Sequence, residues 1–271
     1  MSAQVRELLR ETYGRAPDDA ELEWWFERNP VAPSIVSVAD GEGATTLSLH
    51  RVVLEGEERL AAFIVHAVTA PAARGKGIFS RLQLENEKRA KEAGASVVLG
   101  FTTEQATRVL LGRHGWEELA RPRIWVRPRI FRSGRALPEL PPFSESDVAN
   151  LAVGETRVAK DRAYLEWRYR ESPRRYGRVD GRDGGVAVVG IGPRGGAVCE
   201  LAGGTPTLRR AARAIDSSLV FGLPGRERQS AFLKAWFFPT PWRLHFVGKR
   251  LDPAAPLPHD WRLELGDLDF F

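Results

Sequence analysis

The chain has 271 residues, 43% of them hydrophobic and 28% charged, which is enough apolar material for a packed core and excludes a disordered tail. Its formal charge of +5 suits a polyphosphate ligand as well as a nucleic acid, but 35 acidic residues are mixed among 40 basic ones, so nucleic acid is not the expected partner. No window approaches the ~20 apolar residues of a membrane helix, residues 1–7 lack an apolar signal core, and the single cysteine, Cys199, excludes an internal disulfide, so a cytoplasmic protein without membrane contact is expected.

In chain order, hydrophobic periodicity predicts helices over residues 3–13 and 18–28, then strands near 35–38, 45–53 and 60–68. The third run, Leu60 to Val68, is almost continuously apolar, as a central strand requires. A turn containing Arg74-Gly75-Lys76-Gly77 follows, then a helix over 78–93 closed by Gly94, a strand over 96–101, a helix over 104–114 and a strand over 123–126. Most strands are linked as hairpins and helices lie among them. The expected class is therefore α+β (mixed α/β), with mixed, mostly antiparallel sheets flanked by helices.

A Pro-rich linker over 136–144 is expected to divide the chain into units of residues 1–135 and 145–271. The two halves share a pattern. Leu22-Glu23-Trp24-Trp25-Phe26 with Pro30 is matched by Leu165-Glu166-Trp167-Arg168-Tyr169 with Pro173. Ser96 to Phe101 is matched by Ser218 to Leu223, and the closing strand 123–126 by 243–247. At helical spacing beside leucine, Trp24, Trp25 and Trp167 read as core. Cys199, inside the apolar run 197–201, reads as a buried strand residue.

Strand, glycine turn and helix start together form an anion site. The first N–H groups of a helix have no internal acceptor and carry the positive end of its dipole. Gly75 and Gly77 let a ligand approach the backbone, and Arg74 and Lys76 add charge, so a pyrophosphate is the expected occupant. A nucleotide P-loop would need Gly-x-x-x-x-Gly-Lys-Ser/Thr, which is absent. A dinucleotide fingerprint would need a third glycine where Ser80 stands.

This segment resembles the cofactor motif of the GNAT N-acetyltransferase superfamily, Arg/Gln-x-x-Gly-x-Gly/Ala after a long central strand. Arg74 matches its first position and Gly77 its middle glycine, while Phe79 departs from the small last residue. Residues 104–116, ending in Gly115-Trp116, resemble the family's second motif. The resemblance implies a tandem arrangement in which the first unit binds acetyl-CoA through Val68, Thr69, Arg74, Gly75, Lys76, Gly77, Ile78 and Phe79. The second unit is then a degenerate copy, because its loop 201–206 lacks the basic residues.

It also implies transfer of an acetyl group to an amine of a small molecule or peptide, by direct attack on the thioester. The oxyanion would be held by a backbone N–H near Val68 or Thr69. The family's usual tyrosine acid would stand where this chain has Leu111, which leaves His66 and Glu104 as catalytic candidates and His114 behind them. Each also has a plain structural reading: His66 as a core residue of an apolar strand, Glu104 and His114 as complements to a helix dipole. The competing class is a non-catalytic acetyl-CoA sensor or a scaffold. The five histidines show no metal-ligand spacing, so no metal is expected.

Overall fold

The computed structural model describes residues 3–13, 18–129 and 134–268. Its elements in chain order are α1 (Ala3–Tyr13), α2 (Asp19–Phe26), β1 (Ile35–Ala39), β2 (Gly43–Leu54), β3 (Glu57–Thr69), α3 (Ile78–Glu92), β4 (Val97–Thr102), α4 (Glu104–Arg113), β5 (Glu117–Ala120) and β6 (Arg123–Pro128). There follow α5 (Glu145–Leu151), β7 (Arg157–Val158), α6 (Arg162–Leu165), β8 (Arg175–Asp180), β9 (Val186–Gly192), β10 (Gly195–Ala202), α7 (Thr205–Ala214), β11 (Leu219–Gly222), α8 (Gln229–Lys234), β12 (Phe238–Arg243) and β13 (His245–Arg250).

Two compact units result, Met1–Ala120 with His245–His259, and Arg121–Leu244 with Asp260–Phe271. The first carries the strand order β1-β2-β3-β4-β13-β5 and the second β8-β9-β10-β11-β6-β12. Within each order one pair is parallel, β3 with β4 and β10 with β11, and the other pairs are antiparallel. The expected mixed, mostly antiparallel sheets are therefore present twice, with the same order of strands.

The fifth strand of each sheet comes from the other half of the sequence. The run 123–126, read as the close of the first unit, pairs in the second sheet as β6, and the run 243–247 contributes β13 to the first. Local chemistry explains the exchange. A two-residue hairpin needs positive φ at its turn, and Arg121-Pro122 cannot supply it because proline fixes a negative φ. Between β12 and β13 only Leu244 remains, too little chain to reverse direction.

The Pro-rich stretch also differs from the expected linker, because it packs within the second unit. The Arg178 N–H donates to the Glu139 carbonyl at 3.2 Å. Gly177 on β8 is needed there, since a Cβ would meet the Pro138 carbonyl oxygen at 2.5 Å.

Helix ends follow side-chain chemistry. Asp18 caps α2 by accepting from the Glu21 N–H, and Thr103 caps α4 by accepting from the Ala106 N–H. α2 stops at Phe26, with Glu27 as its C-cap, two residues short of the expected end. Gly94, at φ 89°, closes α3 while the Ala95 N–H donates back to Ala90.

In the first unit Leu47, Leu49, Ala62 and Val98 of the sheet pack with Ala90 of α3, Leu110 of α4 and Trp116. In the second unit Val189, Val198 and Val220 pack with Leu208, Ala211 and Ala212 of α7 and with Phe232 and Phe237. Each fully buried aliphatic side chain contributes roughly 1.5–3 kcal/mol, so these clusters hold the sheets against their helices.

Candidate functional site: a splayed strand and an uncapped helix

β3 and β4 run parallel from Ala61↔Val97 to Ile64↔Gly100, and β3 then continues to Thr69 paired with β2 alone. From Val65 onward β3 is no longer paired with β4. A register shift against Thr46/Leu47 makes Val65 a bulge at the point of separation. Gly100 sits beside it, where a Cβ would meet the Ile64 Cβ at 3.1 Å. At the far end Gly43 is pressed against the same strand, and a Cβ there would meet the Val68 carbonyl oxygen at 2.9 Å.

The turn after β3 completes the site. Pro71–Ala73 form one 3-10 turn, followed by Gly75 at φ 80° and Gly77 at φ 78°. These left-handed values favour glycine. Gly77 is the N-cap of α3, no side chain caps this end, and the first turn of α3 contains no acidic residue. The first-turn N–H groups of α3, which have no intrahelical acceptor, are thus without a side-chain cap at the carboxyl end of the splayed strand.

The residues expected to bind the cofactor lie at the end of β3, along this turn and at the start of α3. Arg74, Gly75, Lys76 and Gly77 are exposed, Val68 is buried and Thr69 is half-buried as the last residue of β3. Ile78 packs with Ala39, Ala73 and Leu82. The Phe79 side chain packs against the core of the first unit, so its departure from a small residue leaves its N–H side open. Lys76 Nζ leans 3.9 Å from Glu42, an exposed contact worth little energy, which leaves the lysine available to an anion.

The proton-transfer candidates are less concentrated. His66, just past the bulge, is half-buried; its ring stacks on Phe26 at 5.9 Å and meets Trp25 edge-on at 6.3 Å, both from α2. Glu104 opens α4 at the carboxyl end of β4, the same end of the parallel pair as the open turn, but it is exposed and bound to Arg108. His114 is the C-cap of α4, with Nε2 2.9 Å from Ser80 Oγ in the first turn of α3. Leu111 is exposed and cannot replace a tyrosine acid.

Sequence reasoning missed a polar node under α3. Buried Glu87 accepts from Trp116 Nε1 at 3.0 Å and from Lys249 Nζ at 2.7 Å. Asn86 Nδ2 donates to the Thr45 carbonyl at 2.9 Å and to Thr45 Oγ1 at 2.8 Å, fixing the helix on β2. The exchange of β13 brings in Lys249, and no local pattern in the sequence announces that.

The second unit repeats the frame with different chemistry. β10 and β11 run parallel only over Gly196↔Val220 and Ala197↔Phe221, and the bulge falls at Cys199. Aligned on the bulges, Glu200 stands where the first unit has His66. Tyr169 stands where it has Phe26, and the Tyr169 hydroxyl donates to Glu200 at 2.5 Å. Glu200 also pairs with buried Lys160, which lies 3.2 Å from Asp267. Burial pushes the Glu200 carboxyl up to about 7, while the opposing Lys160 charge limits the rise. Burial raises the Cys199 thiol to about 12, so it carries no useful thiolate at neutral pH.

The anion position of the second unit is filled from within. Between β10 and α7 only Gly203 and Gly204 remain. Asp183 Oδ2 accepts from the Gly204 N–H at 3.0 Å, and its Oδ1 accepts from Thr207 Oγ1. The Thr207 hydroxyl first, then backbone N–H groups, hold this carboxyl below its usual range. The carboxylate thus sits at the helix start, where an external phosphate would otherwise go.

A bulged central strand splayed from a parallel neighbour, followed by a glycine turn and an uncapped helix, defines the fold of GNAT acyltransferases. Residues 2–119 match the family model described as an acetyltransferase (GNAT) domain, and that part of the chain is such a domain. Whole-chain likeness extends the fold across both units. The chain is similar to a GCN5-related N-acetyltransferase from Anabaena variabilis (TM-score 0.62, 13% identity, 92% of this chain and 70% of that one). It is also similar to the Saccharomyces cerevisiae N-myristoyltransferase with bound myristoyl-CoA (0.60, 13%, 90% and 74%). A tandem GNAT protein from the clavulanic acid biosynthesis pathway aligns over 93% of this chain and 95% of its own (0.58, 14%). No curated protein matches the sequence. The GNAT fold serves acyl transfer from an acyl-CoA.

Proposed function

We propose that this protein transfers an acetyl group from acetyl-CoA to a primary amine of a small molecule or peptide, using the first unit alone. The observation that supports this most is the uncapped start of α3, with left-handed Gly75 and Gly77, at the carboxyl end of the splayed strand β3. The pyrophosphate would lie on Arg74–Gly77 and the N–H groups of Ile78 and Phe79, with the pantetheine along β3 beyond its split from β4, toward Thr69. The neutral amine attacks the thioester carbonyl. A backbone N–H near Val68 or Thr69 holds the oxyanion, and the CoA thiolate leaves as the amide forms.

His66 is the better placed of the two candidates to take the amine proton, directly or through water, since Glu104 faces outward and is bound to Arg108. Leu111 stands where the family's tyrosine acid would be, and a thiolate can depart without an acid. The single cysteine, and the lack among the described residues of a helix long and apolar enough to cross a membrane, fit a cytoplasmic site of action.

The test is thiol release measured over a panel of amines and an acyl-CoA chain-length series. The expected result is turnover with acetyl-CoA and at least one amine class, reduced at least ten-fold in His66→Ala. Tight acetyl-CoA binding without turnover on any amine would instead make the protein a sensor. Preference for a long acyl chain would overturn the acetyl assignment.

A further inference from the structure

The excess basic charge of the chain resides wholly in the second unit, where 24 Lys and Arg stand against 16 Asp and Glu; the first unit has 16 against 19. Part of this excess is gathered in one hollow. Arg209, Arg210 and Arg213 project from the outer face of α7, opposite its buried residues Thr207, Leu208, Ala211 and Ala212. With Pro206 on the first turn of α7 and Arg182 from the turn between β8 and β9, they line a cavity of about 550 Å³.

None of the four arginines makes an ion pair among the described residues. Arg209 donates only to the Lys234 carbonyl, at 3.1 and 2.6 Å, which leaves its charge uncompensated. The crowding extends to the neighbouring strand. On β6, Arg127 has its pKa lowered, by burial first and then by the charges of Arg129, Arg213 and Arg209. Its Nη1 is buried without an acceptor. Like charges held within a Debye length of about 8 Å raise the free energy of the empty protein. An anion placed among them relieves that repulsion and satisfies the guanidinium forks.

We propose that this arginine hollow on α7 is a second binding site, independent of the Arg74–Gly77 turn, for a small ligand carrying several phosphates. Concavity favours a compact ligand over a nucleic-acid duplex, and among the described residues the lining offers no aromatic face on which a base would stack. Four arginines with no lysine favour phosphate oxygens taken in pairs by planar forks. The helix start beside the hollow is already occupied by Asp183, so recognition falls to the side chains rather than to the helix N–H groups.

The test is calorimetric titration of inorganic tripolyphosphate into the full chain at low salt, with ATP and CoA as parallel arms that separate a bare phosphate chain from a nucleotide-borne one. The expected result is one site per chain that weakens as salt rises. It should persist in Gly77→Glu and lose about ten-fold or more in affinity in Arg182→Ser/Arg210→Ser. These two residues are exposed and make no hydrogen bond among the described residues. Should the double variant melt differently, the single Arg213→Ser replaces it, with a smaller loss expected. No tripolyphosphate binding, equal affinity after arginine removal, or loss of binding in Gly77→Glu would each overturn the proposal.

Discussion

The two units have the same strand order, the same bulge on the central strand and the same parallel pair beside it, yet they treat the space beyond that strand in opposite ways. In the first unit the chain takes residues 70–77 to pass from β3 to α3, and the helix start that follows two left-handed glycines has no side-chain cap. In the second the passage shrinks to Gly203-Gly204, and Asp183 closes the helix start. The position after the bulge diverges in parallel. His66 is half-buried against aromatic rings, while Glu200 is locked to Lys160 and Tyr169 in a dry core. One frame keeps a helix start without a side-chain cap, and its duplicate is filled with an internal ion network. Closing an anion site with a side chain converts binding capacity into stability.

Substitutions can break this comparison at several levels. The largest effect is expected in the second unit. Lys160→Met leaves Glu200 and Asp267 buried without their cation and should cost about 3–5 kcal/mol of stability, read by denaturant unfolding. A loss below 1 kcal/mol would mean that the network is incidental. Next, Gly77→Glu places a carboxylate where the cofactor phosphate is expected. It should weaken acetyl-CoA binding at least a hundred-fold, or about 2.7 kcal/mol; a Cβ there meets nothing within 4 Å, but the left-handed φ of 78° disfavours a side chain, so a stability loss of about 1–2 kcal/mol is expected in the melting curve without loss of the fold.

Asp183→Ala removes the carboxylate that accepts from the Gly204 N–H and the Thr207 hydroxyl at the start of α7 and should destabilise by about 1 kcal/mol, the net worth of about one hydrogen bond. An unchanged melting temperature would deny Asp183 that role. The smallest effect concerns pH. Because the folded state holds the Glu200 proton up to about 7, above the unfolded carboxyl range, it binds more protons than the unfolded chain. The contribution from this group is therefore complete below about pH 4 and is lost as pH rises toward 7. Glu200→Gln should flatten that part of the stability profile, measured by unfolding at pH 4 to 8, and an unaltered slope would exclude the group.

Much of this contrast is legible in the sequence because it is local. The Arg74–Gly77 turn lies between an apolar strand and an amphipathic helix, and the paired Leu-Glu-Trp segments reveal the repeat. The register of the structure even reproduces the pairing of 96–101 with 218–223, since Phe63 faces Leu99 as Ala197 faces Phe221. What escaped is non-local. The exchange of β6 and β13 depends on two connections too short or too rigid to turn, and hydrophobic alternation alone carries no partner information. Asp183 looks like an ordinary loop aspartate until β8 and β9 bring it to α7. Glu87 and Lys249 lie 162 residues apart, with the second unit's long segment Arg121–Leu244 between them, and meet only through the exchanged strand.

Calorimetric titration of acetyl-CoA into the full chain, wild type and Gly77→Glu side by side at physiological salt, tests the central claim most directly. The account predicts one tight site per chain in the wild type, lost in the variant while the fold is retained. Two equivalent tight sites, or undiminished affinity in Gly77→Glu, would contradict it.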